Sequence, residues 1–108
     1  MVRLATLDHS REAPVPLISN PLLVQHLEAI AARLEVEVRY EDLADDEIAV
    51  QSGGCRLLGR SLIIIDRRCP PDQRARILAR ELSRYDLDSL YILPQIREFI
   101  LLQSLMGL

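Results

Sequence analysis

The sequence predicts one α+β domain: an N-terminal helix, a three-stranded, mostly antiparallel sheet with a hairpin, and two final helices. Three observations lead there. Apolar residues recur at helical spacing over Leu23, Leu27, Ile30, Ala31 and Leu34. The period then drops to two at Val36, Val38 and Tyr40, which alternate with Glu35, Glu37 and Arg39. After an unbroken apolar run, Leu62 to Ile65, helical patterns return and occupy the rest of the chain. Strands joined by hairpin-type links, followed by helices, indicate an α+β arrangement rather than a wound parallel one. A length of 108 residues fits one core.

Residues 1–19 show no sustained period and contain Pro14 and Pro16, so they read as an extended arm preceding a domain over 20–108. Asn20 suits an N-cap and Pro21 the first helical position. The alternating segment 35–40 reads as a half-buried strand, and Glu41, Asp42, Asp45, Asp46 and Glu47 form an acidic loop. A short strand about Ile48 and Val50 precedes the Ser52-Gly53-Gly54 break. Cys55 to Leu58 and Ser61 to Asp66 then form a hairpin. Its expected turn is Gly59-Arg60, where glycine in the first central position suits type II′. The Leu62–Ile65 run implies a strand covered on both faces or packed closely beneath helices. Pro70 and Pro71 introduce a helix reaching about Tyr85, and Pro94 starts a last helix ending near Met106.

Leu, Ile and Val make up a third of the chain against four aromatics (Tyr40, Tyr85, Tyr91, Phe99), so the core is aliphatic and disorder is excluded. All 13 basic residues are Arg. The net charge of −3 disfavours a general nucleic-acid or anionic-membrane binder. It is unevenly spread, however: residues 1–54 carry −6 and residues 55–108 carry +3. Nucleic-acid binding through this Arg-rich half has few aromatic stacking platforms to support it. No stretch approaches a membrane span and the N-terminus lacks a sustained apolar region, so a cytoplasmic location is expected, with Cys55 and Cys69 as free thiols.

On a helical wheel the segment after Pro71 places Ala75, Leu78, Ala79, Leu82 and Tyr85 on one side and Gln73, Arg76, Arg80, Ser83 and Arg84 on the other. An Arg stripe at this spacing is ordinarily a solvated face. Its neighbours give it a second meaning. The run Leu78-Ala79-Arg80-Glu81-Leu82-Ser83-Arg84-Tyr85 resembles the active-site helix of the ImmA/IrrE-type zinc peptidases, usually L-A-H-E-L-G-H-Y. The likeness extends upstream to Val38-Arg39-Tyr40-Glu41-Asp42-Leu43 and Ile63-Ile64-Ile65-Asp66, and covers roughly residues 21–85. It implies a small zincin-like domain.

The chemistry of that family does not follow. In H-E-x-x-H two imidazoles four residues apart reach one zinc while the Glu acts as base on the bound water. Here Arg80 and Arg84 occupy both ligand positions, and a protonated guanidinium has no lone pair to offer. The acidic third ligand of a following helix has only Asp86 and Asp88 as counterparts, and they arrive almost at once. Neither metal nor other cofactor is therefore expected. Other constellations are poorer: His9, His26, Cys55 and Cys69 lack paired-ligand spacing, the acidic loop lacks calcium-loop spacing, and Gly53-Gly54 does not lead into a phosphate-binding helix.

The expected function is non-enzymatic: a zincin-like binding or protein-interaction domain whose Arg76, Arg80, Glu81 and Arg84 face meets an anionic ligand or a protein. The enzymatic alternative is a hydrolase that retains Glu81 with an unrecognised metal site. The last helix is apolar over more than one packing face, so Phe99, Ile100, Leu102 and Met106 are expected to meet a second copy or another protein.

Overall fold

The computed structural model describes residues 18–43 and 53–106, the side chain of Leu57 excepted. The proposed arm up to residue 17, the strand about Ile48 and Val50 and the acidic loop beyond Leu43 lie outside the described residues. The element order is α1 (Asn20–Arg33), β1 (Glu37–Glu41), β2 (Gly53–Leu57), β3 (Arg60–Asp66), α2 (Pro71–Leu82) and α3 (Pro94–Met106). This is the α+β succession of helix, three strands and two helices that the sequence pattern predicts.

Helix α1 is capped one residue earlier than expected, because the Ser19 hydroxyl accepts the Leu22 N–H at 3.3 Å. Its other end is a Schellman turn. Glu35 takes φ 62°, its N–H bonds the Ala32 carbonyl at 3.0 Å, and the Val36 N–H bonds the Ala31 carbonyl at 2.9 Å. That left-handed position favours glycine, so Glu35 holds it at a conformational cost. The turn aims the chain into β1.

The sheet order is β1-β3-β2, which makes the Leu62–Ile65 run the central strand, as its continuous apolar character requires. Strands β2 and β3 are antiparallel, with Gly54 opposite Ile63 and Leu57 opposite Arg60. Strands β1 and β3 are parallel, with Val38 opposite Ile63 and Tyr40 opposite Ile65. The sheet is thus mixed, one pairing of each kind, where a mostly antiparallel one was expected: alternation marks a strand and its buried face but carries no direction. The hairpin turn is Leu58-Gly59, one residue earlier than expected. Both residues have positive φ, 54° and 78°, so the turn is type I′ and not II′.

Helices α1 and α2 pack on the sheet, and α3 packs on α2 and α1. Fully buried Leu23 and Leu27 of α1, Ile63 and Ile65 of β3, Leu78 and Leu82 of α2 and Ile96 of α3 form one aliphatic core. Tyr40, Tyr85 and Phe99 are half-buried at its margin. A polar latch ties three elements beside it. The Tyr40 hydroxyl donates to Glu28 of α1, and the Arg74 guanidinium lies 4.8 Å from the centre of the Tyr40 ring. Arg74 also donates to the carbonyls of Cys69 and Arg67, each at 2.8 Å. Burial and the Glu28 carboxylate push the Tyr40 phenol well above its ordinary range. Among the described residues no helix is long and apolar enough to cross a membrane.

Candidate functional site

Helix α2 begins without a side-chain cap, at Pro70 and Pro71, and ends at Leu82 rather than Tyr85. Beyond Leu82 the hydrogen bonding tightens: the Arg84 N–H bonds the Glu81 carbonyl at 3.2 Å and the Tyr85 N–H bonds that of Leu82 at 3.0 Å. Ala75, Leu78, Ala79 and Leu82 are buried, as the wheel requires. The Arg stripe is less uniform than its spacing implies. Arg76 is exposed and paired with Asp72 at 3.4 Å, Arg80 is half-buried with no ion pair to any described residue, and Arg84 is exposed in the closing turn.

Glu81 is the informative member. Its side chain is only 12% exposed, and Arg84 Nε lies 3.8 Å from its Oε1. The carboxylate rests against the edge strand β2, where a Cβ built on Gly54 would stand 2.5 Å from Oε1 and one on Gly53 would stand 3.8 Å from Oε2. Gly54 therefore makes the room that Glu81 occupies. This contact had no sequence signal: Gly53-Gly54 reads as a break, and only the side-by-side packing of β2 and α2 gives it a partner.

The zinc chemistry that the resembling family uses does not fit these residues. Arg80 and Arg84 supply no donor, and Asp86 and Asp88 are exposed on the turn after α2, where the Asp88 N–H bonds Asp86 Oδ1 at 3.0 Å. Among the described residues no three His, Cys, Asp or Glu side chains gather into a group able to hold a metal. His26 is half-buried on α1, Cys55 is exposed and Cys69 half-buried, while His9 lies outside the described residues.

Helix α3 has the bounds the sequence predicts, but its four named residues divide. Ile100 is buried against the core, only 2% exposed, which corrects its expected place among the outward-facing residues of the helix. Phe99 is half-buried against the same core. Leu102 and Met106 do face outward, joined by Leu101 and Leu105, all between 45% and 74% exposed. At 100° per residue these four span an arc of roughly 140° opposite Ile96 and Ile100. Between α3 and the 83–88 turn runs an open groove of about 520 Å³, walled by Leu87, Ile100 and Leu101 and rimmed by Asp86 and Asp88.

The chain matches no protein-family model, no curated protein and no solved structure.

Proposed function

We propose that this chain is a non-catalytic binding or protein-interaction domain on a zincin-like scaffold. The observation that carries the reading is the end of α2. The residue in the place of a catalytic base, Glu81, is packed against Gly54 and neighboured by the Arg84 guanidinium. The flanking ligand positions hold Arg80 and Arg84, whose cations repel a divalent metal and attract anions. Arg76, Arg80 and Arg84 thus form a contact face for an anionic group, with Arg80 the member not committed to an ion pair with any described residue.

The exposed Leu101, Leu102, Leu105 and Met106 support a protein partner, for which a second copy of the chain is the simplest candidate. Zinc analysis of untagged protein, together with a peptidase assay, tests the first part. Absence of both metal and turnover is expected, and stoichiometric zinc with proteolysis establishes the hydrolase instead. Sedimentation equilibrium tests the second.

A further inference from the structure

The β2–β3 hairpin ends in a leucine that neither its backbone nor its surroundings favour. Leu58 is 93% exposed and sits at φ 54°, the first central position of a type I′ turn where Asn or Gly is preferred. Left-handed backbone is strained for a residue with a Cβ, and exposure forgoes the gain of burying an apolar side chain. An Arg stands on either side. In the ladder Arg60 stands opposite Leu57 and Arg56 opposite Ser61. Arg56 donates to the Gly59 carbonyl at 3.0 Å and to Ser61 Oγ at 3.5 Å, both uncharged acceptors, and it forms no ion pair with any described residue. Glu37, whose carboxylate feels the Arg60 charge, is bonded to Arg39 at 2.9 Å.

The complement of this knob lies at the other end of the chain. The groove beside α3 is apolar in its walls, Leu87, Ile100 and Leu101, and acidic on its rim, Asp86 and Asp88. The basic side chain among its described lining residues, Arg97, is turned to the carbonyls of Leu87 and Leu90. An apolar slot with an acidic rim suits an apolar tip flanked by cations, since complementary charge fixes partner and register. We propose that the groove receives the Leu58 hairpin of a second copy, with Arg56 and Arg60 meeting Asp86 and Asp88.

The proposal rests on the reading of the α3 flank as an interaction surface, and it changes the symmetry of the contact. Knob and groove are different surfaces, so the contact is heterologous: it closes into a reciprocal dimer or a ring where geometry permits and otherwise continues as a chain.

Sedimentation equilibrium of the full chain, from micromolar to millimolar concentration, is the test. Two charge-reversed variants are compared, Arg56→Asp with Arg60→Asp and Asp86→Arg with Asp88→Arg, with melting curves to confirm that each folds. Each variant alone is expected to associate at least about tenfold more weakly than the parent, and an equimolar mixture of the two is expected to recover association, because each supplies the charge the other needs. Leu58→Asn, which suits the left-handed turn and removes the apolar tip, is expected to weaken association without lowering the melting temperature. Association that survives both reversals but is lost with Leu102→Glu and Met106→Glu overturns knob-in-groove docking and leaves the α3 surface as the interface. A strict monomer at millimolar concentration overturns both.

Discussion

Replacing Leu82 by Ala probes whether α2 faces the way its position requires. Leu82 is fully buried within the aliphatic core, at the last helical residue before the chain turns toward Arg84. The substitution removes three carbon groups, worth about 0.8 kcal/mol each in transfer free energy, so the loss begins near 2.4 kcal/mol. A cavity left among rigid neighbours raises it to as much as about 5 kcal/mol. Whole-domain stabilities are typically about 5–15 kcal/mol, so this change alone consumes much of the margin. At about 4–8 °C per kcal/mol for a domain of this size, the melting temperature falls by roughly 10 °C or more. The control is Arg80→Ala on the opposite side, half-buried and without an ion pair to any described residue, where a cost of about 0–0.5 kcal/mol is expected. Urea titrations followed by far-ultraviolet circular dichroism measure both. A larger loss for Arg80→Ala than for Leu82→Ala would refute the assignment of the helix faces.

Three further outcomes are expected. Glu35→Gly relieves the left-handed position that ends α1 and raises stability by about 0.5–1 kcal/mol in the same titration; a loss would mean that the Glu35 side chain contributes more than its backbone costs. Tyr40→Phe removes the bond to Glu28 and lowers stability by about 1–3 kcal/mol at neutral pH. Because the folded phenol ionises well above its unfolded value of about 10, its contribution is complete below that pH and is lost as pH rises beyond it, so the parent weakens above pH about 10 and the Phe variant shows a shallower decline. Arg80→His combined with Arg84→His creates two donors and no third, so weak zinc uptake without proteolysis is expected from metal titration and peptide cleavage; efficient cleavage would identify Asp86 or Asp88 as a ligand.

What the sequence made legible follows from which forces are local. The bounds of α3 were readable because Pro94 starts it and its apolar period persists to the end. The central place of Leu62–Ile65 was readable because an uninterrupted apolar run tolerates no solvent face. The direction of β1 was not, since side chains alternate alike in parallel and antiparallel strands. The turn shifted by one residue because the pairing of Leu57 with Arg60 closes the ladder before Gly59, placing Leu58 in a conformation its residue type disfavours. At the candidate site the Arg positions were evident from spacing. The seat of Glu81 against Gly54 was not, because it depends on two elements meeting about 27 residues apart in the chain.

The mixed sheet also sets an order of assembly. The β2–β3 hairpin is closed by two residues and can form in about 1–10 μs, whereas the pairing of β1 with β3 joins Val38 to Ile63 and must first close a loop of about 25 residues. Strand β3 is the shared member, so the hairpin offers a template on which β1 can later dock. Weakening the hairpin turn, for instance by Gly59→Ala at its φ of 78°, should therefore slow folding, while trimming Ile100 of α3 should mainly hasten unfolding. The strained tip thus stands at the kinetic gateway to the fold, and the tolerance of Leu58 there is a restraint on how fast the chain can find its native sheet.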